Sequence, residues 1–391
     1  MKLDTRIVTA GRDPEAYQGA VSPPVFHVST VISASLAERE RNYAARARRE
    51  RSLLYGRRGN PTAVAFERAL ASLEGGHDAL TYPSGLAAIA SALLSYLSAG
   101  DHLLMTDAAY GPTRHLCDGT LARHGITTTF YPPTIGAGIA ALIRPETRVV
   151  YVESPGSQTF EVQDVPAIAE AAHAHGAIVM MDNTWASPVF FRPFEHGVDV
   201  SIQAVTKYIG GHSDIMLGAV TTTEAAWPTL YDRSHELGQC AGPDDLFLAQ
   251  RGLRTLAVRL ARHQETGLAL AEWLAGRPEV ARVLHPGLPG DPGHALWRRD
   301  FRGASGLFSI VLEPCPEPAV AAMVDGLELF SIGASWGGYE SLILPCAPES
   351  LRTAVPWRGE GPVLRLHAGL EDAADLKADL VAGFARLGRC R

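Results

Sequence analysis

The chain has 391 residues, of which 46% are hydrophobic and 20% are charged, and its formal net charge is −7. This balance is typical of a soluble enzyme of two or three domains, and it excludes a general electrostatic attraction to nucleic acid or anionic lipid. The opening residues lack the apolar core of a signal peptide, and no run reaches the roughly 18 apolar residues of a membrane span.

The first stretch of the chain does not have the pattern of a compact domain. "GAVSPPVFHVST" is proline-rich and extended, and "ERERNYAARARRERS" is a charged run typical of a solvated helix or loop. We therefore predict an N-terminal arm over residues 1–55, a large α/β domain over residues 56–250 and a smaller α+β domain over residues 251–391.

From Asn60 onward the sequence predicts an α/β domain. "NPTAVAFERALASLEG" combines a capping residue, a proline in the first turn and a closing glycine, and "PSGLAAIASALLSYLSAG" has apolar residues at helical spacing. The apolar runs "DHLLMT", "TRVVYVES", "AIVMMDNT" and "VDVSIQAVTK" predict parallel strands covered by helices on both faces. After one long helical stretch near Gln250, the runs "GLFSIVLE" and "PVLRLHAG" predict strands of the smaller domain.

Three of the predicted strands end in polar residues. These are Glu153 and Ser154 in the first, Asp182, Asn183 and Thr184 in the second, and Thr206 and Lys207 in the third. Each end alone is ordinary where a strand meets solvent. Because parallel α/β sheets bind ligands beyond the carboxyl ends of their strands, the three together predict one crevice.

Asp182 and Lys207 allow two interpretations. They form a structural ion pair, or they hold opposite ends of a heteroaromatic cofactor. Lysine is the only common side chain that forms a Schiff base with an aldehyde. A carboxylate that faces a pyridine nitrogen keeps that nitrogen protonated. The second interpretation matches the requirements of pyridoxal 5′-phosphate (PLP).

A phosphate-binding cup for PLP is available in "YPSGLAAIA". Ser84 and Gly85 precede a helix whose first N–H groups are unpaired donors, although the same residues also form a plain helix cap. Thr206 adds a hydroxyl donor and Arg57 a guanidinium suited to phosphate, unless Arg57 is an ordinary surface arginine. Tyr110 follows a predicted strand, where it stacks on the cofactor ring or packs at the rim.

Two other chemistries are not supported. His173 and His175 lie two residues apart on a predicted helix and face apart, and no third ligand accompanies His212 and Asp214, so no metal site is predicted. The five cysteines have no CxxC pair, which argues against zinc or a disulfide framework and favours a reducing cytoplasm. A serine-hydrolase elbow is also absent from the sequence.

Four motifs resemble the Cys/Met-metabolism PLP-dependent enzymes of fold type I: "SIQAVTKYIGGHSD", "VESPGSQTFEVQDV", "MDNTWASP" and "YGRRGNPT". The resemblance covers nearly the whole chain. Within the family, Gln203 in "QAVTKY", the segment "GSQTFEV" and Trp336 in "SWGGYESL" favour the cystathionine β-lyases. Leu86 departs from the methionine common in the family, a change that matters little if the backbone N–H is the donor.

The resemblance implies a role for each candidate residue. Lys207 bonds to PLP and is catalytic, Asp182 pairs with the pyridine nitrogen, and Tyr110 stacks on the ring and tunes protons. Further roles are implied for the phosphate-binding residues Ser84, Gly85, Leu86 and Thr206, for Tyr55 and Arg57 reaching the neighbouring subunit's phosphate, and for the substrate-binding residues Arg365, Ser335 and Trp336. Arg365 would clamp the substrate α-carboxylate.

The implied activity is β-elimination of L-cystathionine to homocysteine, pyruvate and ammonia in methionine biosynthesis. The implied enzyme is a homo-oligomer, as a dimer of dimers, that acts on small sulfur amino acids with neither nucleic acid nor membrane as a partner. Three alternatives on the same scaffold stay open: γ-lyase or γ-synthase chemistry, cysteine-S-conjugate β-lyase activity, and a non-catalytic PLP-binding protein.

Overall fold

A mainly parallel sheet forms the centre of the larger part of the molecule. The computed structural model describes residues 1–359 and 361–389. The strands of this sheet are β1 (Asp78–Tyr82), β2 (His102–Thr106), β3 (Thr127–Tyr131), β4 (Thr147–Glu153), β5 (Ile178–Asp182), β6 (Val200–Gln203) and β7 (Gly218–Thr222). Across the described residues the strand order is β1-β7-β6-β5-β4-β2-β3, and only β7 runs antiparallel to its neighbours.

Helices cover both faces of this sheet. The helices of this part of the chain are α1 (Leu3–Thr9), α2 (Leu36–Ala47), α3 (Pro61–Glu74), α4 (Gly85–Tyr96), α5 (Gly111–Leu116), α6 (Val165–Ala174), α7 (Ser187–Phe190), α8 (Trp227–Glu236) and α9 (Pro243–Arg254), of which α2 lies apart from the sheet. In β4, Val150 and Val152 belong to one buried cluster, whereas Val149 and Tyr151 belong to the other. Because strand side chains alternate between faces, this split confirms the predicted parallel strands with two buried faces.

Local signals explain where the helices begin. The Asn60 side chain accepts a hydrogen bond from the Ala63 N–H, Pro61 occupies the first turn, and Gly75 ends α3 in the left-handed region. The Ser84 side chain likewise accepts from the Ala87 N–H at the start of α4. Both helices therefore confirm the sequence-based expectation.

A second sheet forms the C-terminal part of the molecule. Its strands are β8 (Val280–Leu284), β9 (Leu307–Leu312), β10 (Ser331–Ile332), β11 (Leu342–Cys346) and β12 (Val363–His367), accompanied by α10 (Leu256–Ala275), α11 (His294–Asp300), α12 (Glu317–Val324) and α13 (Ala373–Arg389). Its order is β10-β11-β12-β9-β8, with antiparallel pairing except between β10 and β11. Phe308, Ile310, Leu364 and Leu366 contribute to its own buried core.

The predicted domain boundaries at residues 55 and 250 stay predictions. The structure shows how the first helices pack and which helix contains residue 250. Ile7 of α1 is buried in the main core, and the Arg254 guanidinium donates to the carbonyl oxygens of Ile7 and Ala10. By contrast α2 has no buried residue. The boundary at 250 falls within α9, and the single predicted helix beyond it is two helices that separate at Thr255.

The lysine segment differs from the sequence expectation. β6 ends at Gln203, so Thr206 and Lys207 lie in the following turn rather than at the strand end. The Gly211 N–H donates to the Lys207 carbonyl oxygen over 2.8 Å, and the Arg259 guanidinium of α10 donates to the Tyr208 carbonyl oxygen over 2.6 Å. The turn is therefore held from both sides.

Among residues 1–359 and 361–389, no helix has both the length and the apolar character needed to cross a lipid bilayer.

Candidate active site

A cavity of about 300 Å³ lies beyond the carboxyl ends of β4 and β5, between the two sheets. It gathers most of the residues that the sequence singled out: Ser84, Gly85, Leu86, Tyr110, Asp182, Thr206, Lys207, Ser335, Trp336 and Arg365. Both sheets contribute to its walls, because Ser335, Trp336 and Arg365 belong to the C-terminal part. The position matches the general preference of α/β sheets for ligands at this edge.

Lys207 lies in the cavity with its amine close to a hydroxyl. Nζ donates to Ser335 Oγ over 2.6 Å and lies 5.3 Å from the centroid of the Trp336 ring. Burial and then the nearby Arg365 charge lower the pKa of Lys207 to about 8, against an opposing effect of Asp182. A lowered lysine pKa is what a nucleophilic or basic amine requires.

Asp182 lies beside a second carboxyl group. β4 and β5 pair Glu153 with Asp182 in register, so the two side chains project from neighbouring positions. Burial, followed by the Asp182 charge, raises the pKa of Glu153 well above its ordinary value. Burial also raises the pKa of Asp182, whereas hydrogen bonds from Thr184 and the charge of Lys207 oppose that shift. We infer that Glu153 holds a proton at neutral pH more readily than Asp182 does.

Thr184 orients Asp182 and connects it to the lysine turn. Its N–H and its hydroxyl both donate to Asp182 Oδ1, over 3.0 and 2.5 Å, and its Oγ1 accepts from the Ala204 N–H over 2.9 Å. Asp182 Oδ2 has no hydrogen-bond donor among the described residues. One oxygen of the carboxylate is thus fixed and the other is available to a ligand.

The start of α4 forms a cradle of backbone donors. An added Cβ at Gly85 would lie 2.8 Å from the Ala204 Cβ, so close packing requires glycine there. Within the described residues the Gly85 and Leu86 N–H groups have no hydrogen-bond partner, as expected for the first turn of a helix. The Thr206 hydroxyl donates to the Leu217 carbonyl oxygen over 3.1 Å, so its role toward a phosphate stays a prediction.

Tyr110 begins the segment that leads into α5. Its N–H donates to Glu153 Oε2 over 2.8 Å, which anchors the residue to the end of β4. Burial raises the pKa of the phenol, and the charges of Asp182 and Glu153 act in the same direction. The phenol is therefore protonated at neutral pH.

Arg365 enters the cavity from β12, in the second sheet. Its Nη2 donates to the carbonyl oxygens of Ala334 and Ser335, over 2.9 and 3.3 Å. Burial lowers the pKa of Arg365, and the group remains a cation at neutral pH. The guanidinium therefore places a positive charge near the Lys207 amine.

Tyr55 and Arg57 do not lie in this cavity within one chain. Tyr55 is exposed, and Arg57 Nη1 donates to the His235 carbonyl oxygen over 3.1 Å. Their predicted contact with a neighbouring subunit stays a prediction.

The sequence placed Glu153 and Thr184 at the predicted crevice without a chemical role, and it gave no role to Gly337; the structure brings all three to the cavity or its support. Thr184 follows Asp182 by two residues, a spacing at which a hydroxyl commonly bonds a neighbouring side chain or backbone group. Nothing local marks the approach of Gly337, because it depends on a fold contact between distant segments.

The donor set fits PLP. A lysine with a lowered pKa, a carboxylate with an unbonded oxygen, and unpaired N–H groups at a helix start match an aldehyde, a pyridine nitrogen and a phosphate, respectively. The residues that would hold the cofactor are Lys207, Asp182, Tyr110, Ser84, Gly85, Leu86 and Thr206.

Comparison with known proteins identifies the class. Residues 4–385 match the family described as Cys/Met metabolism PLP-dependent enzyme, and the chain belongs to that family. It is therefore a PLP-dependent enzyme, as the resemblance implied.

Individual relatives are similar over their whole length. A putative cystathionine beta-lyase of Rhizobium johnstonii is 50% identical over 387 residues, which cover 98% of this chain and 96% of the relative. Cystathionine beta-lyase MetC of Escherichia coli is 46% identical over 393 residues, covering 99% of both chains. The solved cystathionine gamma synthase of Xanthomonas oryzae pv. oryzae, in complex with aminoacrylate and cysteine, has a TM-score of 0.90 at 35% identity and covers all of both chains. The predicted fold class, a fold type I PLP-dependent enzyme with a smaller α+β part, is confirmed.

Proposed function

We propose that this protein catalyses the β-elimination of L-cystathionine to homocysteine, pyruvate and ammonia. The single observation that carries the proposal is the meeting of Lys207, Asp182 and Arg365 in one cavity beyond the sheet edge. The relatives named cystathionine beta-lyase, at 46% and 50% identity, support the choice of reaction.

PLP, when bound, supplies an aldehyde that bonds to amines and a protonated ring that draws electrons from the substrate. Asp182 serves that ring through its unbonded Oδ2, while Thr184 fixes Oδ1. Burial and the neighbouring Asp182 charge raise the pKa of Glu153, so in this proposal Glu153 is the protonated member of the pair and competes little with Asp182 for the ring nitrogen.

Arg365 binds the α-carboxylate of the substrate. A guanidinium forms two parallel charge-assisted hydrogen bonds with a carboxylate, and this geometry orients as well as binds. The bonds from Nη2 to Ala334 and Ser335 fix the plane of the guanidinium before the substrate arrives. The substrate Cα–H bond is thereby aimed toward Lys207.

Lys207 moves the proton. A pKa of about 8 leaves part of the amine unprotonated near neutral pH, so Nζ is able to take the proton from the substrate Cα. The Cβ–S bond then breaks, and the sulfur leaves with the electron pair and one proton as homocysteine. The remaining three-carbon fragment takes up water and leaves as pyruvate and ammonia.

Three further residues shape the reaction volume in this proposal. Ser335 Oγ accepts a hydrogen bond from the Lys207 amine and directs it. Tyr110 and Trp336 line the cavity and reduce the access of water, and the protonated phenol of Tyr110 is the proposed proton donor to the leaving group.

The experiment that tests the proposal is product identification. The purified PLP-loaded protein is incubated with L-cystathionine, and the keto acid is identified by mass spectrometry, with the Lys207→Ala protein as the control. Pyruvate with homocysteine, absent in the control, supports β-elimination. If the PLP-loaded protein releases neither pyruvate nor homocysteine, the proposal is contradicted.

The second candidate is chemistry at the γ carbon. The solved cystathionine gamma synthase with a TM-score of 0.90 favours it as the alternative on this scaffold. The same assay separates the two, since γ-elimination of cystathionine yields 2-oxobutyrate with cysteine.

We also propose that two chains complete each site. Tyr55 and Arg57 lie outside the cavity of their own chain, and α2 has no buried residue, so this arm is available to a second copy. In a dimer, and in a tetramer of two dimers, Arg57 would meet the phosphate in the neighbouring subunit. A cytoplasmic location fits the free thiols of Cys117, Cys240 and Cys346.

A further inference from the structure

A loop from the C-terminal part of the chain rests on the lysine turn. This Ser335 loop comprises residues 334–338 and is part of the connection between β10 and β11. It contacts Lys207 through the Ser335 hydroxyl, and its Trp336 ring lies 5.4 Å from the Tyr208 ring. The loop has no regular hydrogen-bonded structure of its own, so its position depends on contacts with its surroundings.

Gly337 sets how closely the loop approaches the lysine. Its φ is +89°, and an added Cβ would lie 2.8 Å from both the Lys207 carbonyl carbon and the Tyr208 nitrogen. The loop backbone thus lies directly against the Lys207 backbone, at a distance that only glycine allows. A shift of the loop by a fraction of an ångström would change the Ser335–Lys207 contact.

His367 holds the loop from behind. This residue ends β12 and is 1% exposed. The Gly337 N–H donates to its Nε2 over 3.1 Å, and the Gly338 carbonyl oxygen lies 3.1 Å from the same nitrogen. Its Nδ1 lies 3.5 Å from the Tyr208 hydroxyl. One imidazole therefore connects the Ser335 loop to the residue that follows Lys207.

Arg365 holds the other end of the same loop. Arg365 and His367 are two residues apart on one strand, so they project from the same face of β12. Arg365 contacts Ala334 and Ser335, whereas His367 contacts Gly337 and Gly338. Arg365 also faces the cavity and serves the substrate in the proposed function. His367 is not among the cavity-lining residues, so it is free to hold the loop throughout the reaction.

We infer that His367 is a positioning residue that keeps the Ser335 loop against the Lys207 turn and thereby holds Ser335 and Arg365 in place for the substrate. The neutral state of the ring is consistent with this role, because burial, followed by the proximity of His263, lowers the pKa of His367 to about 3. A neutral ring has one donor and one acceptor nitrogen: Nε2 accepts from the Gly337 N–H and the Nδ1–H faces the Tyr208 hydroxyl, whereas the Gly338 carbonyl oxygen is a close neighbour of Nε2 without a hydrogen bond in this tautomer. That His367 holds the loop follows from the geometry alone, whereas its effect on substrate binding rests on the proposed function.

The test compares substitutions at two buried histidines that pack against the same tyrosine. His263 lies 5.2 Å and His367 5.8 Å from the Tyr208 ring, but His263 contacts the Ala368 carbonyl oxygen rather than the loop. Hydrogen exchange of residues 334–338 and steady-state kinetics with L-cystathionine are measured on the PLP-loaded wild type, His367→Ala, His367→Gln and His263→Ala proteins.

In His367→Ala, we expect exchange of the loop amides to accelerate about five- to tenfold, as for the loss of one buried hydrogen bond. We also expect KM to rise about tenfold with little change in kcat, because the ground-state alignment of Arg365 is lost. His367→Gln places an amide oxygen within reach of the Gly337 N–H and should restore both values. His263→Ala removes a ring whose centroid lies 5.1 Å from that of His367 but leaves the Gly337–His367 hydrogen bond in place, so it should change both values much less than His367→Ala does.

The inference would be overturned if the loop amides of His367→Ala exchanged at the wild-type rate. It would also be overturned if His263→Ala accelerated their exchange as much as His367→Ala does. If the alanine variant does not fold, His367→Gln is compared with His367→Asn, whose shorter amide does not reach Gly337. Equal loop exchange in that pair also overturns the inference. The exchange result remains decisive even if cystathionine is not the substrate, so its failure is distinct from a failure of the proposed function.

Discussion

The two sheets supply opposite walls of the cavity and hold their residues by different means. On the wall from the large sheet, Asp182 ends a strand, Ser84 caps a helix, and Lys207 follows a strand by four residues. On the wall from the small sheet, Ser335 and Trp336 lie in a loop that Arg365 and His367 hold by side-chain hydrogen bonds. The first wall is fixed mainly by regular backbone structure, with the Lys207 turn held also by Arg259, whereas the second depends on a few side-chain contacts.

This difference between the two walls predicts which kinetic constant a substitution changes. Substitutions on the large-sheet wall should remove chemistry without moving the backbone. Substitutions on the small-sheet wall should shift the bound substrate, while the reacting groups on the large-sheet wall stay in place. They should therefore act mainly on KM.

Lys207→Ala should have the largest effect. Loss of the amine removes both the attachment point of PLP and the base, so we expect pyruvate release from cystathionine to fall about 10³-fold or more. Lys377→Ala is the matched control, because Lys377 lies on α13 and outside the cavity. If the Lys207→Ala protein kept wild-type turnover, Lys207 on the large-sheet wall would not be required for the reaction.

Asp182→Asn and Glu153→Gln sharpen the comparison within the large-sheet wall. The two carboxyl groups are paired in register, but only Asp182 is proposed to act through its charge. We expect Asp182→Asn to lower kcat/KM about 10²-fold. Glu153→Gln should stay near wild type, because glutamine imitates a protonated glutamate and still accepts from the Tyr110 N–H. Equal losses in the two variants would show that both carboxyl groups must be ionised.

Arg365→Lys probes the small-sheet wall. Lysine keeps the charge but loses the planar pair of donors, at a cost of about 2 kcal/mol, which corresponds to about 30-fold in binding. We expect that factor to appear in KM, measured by initial rates over a range of cystathionine concentrations. A loss confined to kcat would mean that Arg365 acts in the chemical step rather than in binding.

The smallest expected effect is a change in stability with pH in the cofactor-free protein. Folding lowers the pKa of Lys207 from 10.5 to about 8, so between these values the unfolded chain binds more protons and stability rises with pH. Lys207→Met removes this dependence. The variant should be more stable than wild type below pH 8, by an amount that shrinks to zero as the pH approaches 10.5. Denaturant unfolding at several pH values measures the difference, and a constant difference would contradict the lowered pKa.

The sequence was sufficient for residues whose role follows from their position in a regular element. Asp182 after an apolar strand, Ser84 and Gly85 before an amphipathic helix, and Lys207 near a glycine pair were all recognisable locally. The end of β6 was placed too late, because the apolar run continues into Ala204 and Val205 although the backbone has already turned. Hydrophobic pattern alone does not mark where strand pairing stops.

Long-range contacts account for what the sequence did not predict. His367 reads as one more residue of an apolar strand, and its importance emerges only when β12 brings it behind a loop some 30 residues earlier in the chain. The close approach of Gly337 to Lys207 likewise joins segments separated by more than 100 residues. The proposed role of Tyr55 and Arg57 depends on a second chain and therefore stays a prediction.

The central claim is that Lys207 carries PLP in this cavity, and chemical trapping tests it most directly. The sequence has three lysines, Lys2, Lys207 and Lys377, so the assignment is simple. The PLP-loaded protein is treated with borohydride, digested and mapped by mass spectrometry. We predict a reduced pyridoxyl group on the peptide that contains Lys207 and on neither of the others. An unlabelled Lys207 peptide, with the label on Lys2 or Lys377 or nowhere, would contradict the claim.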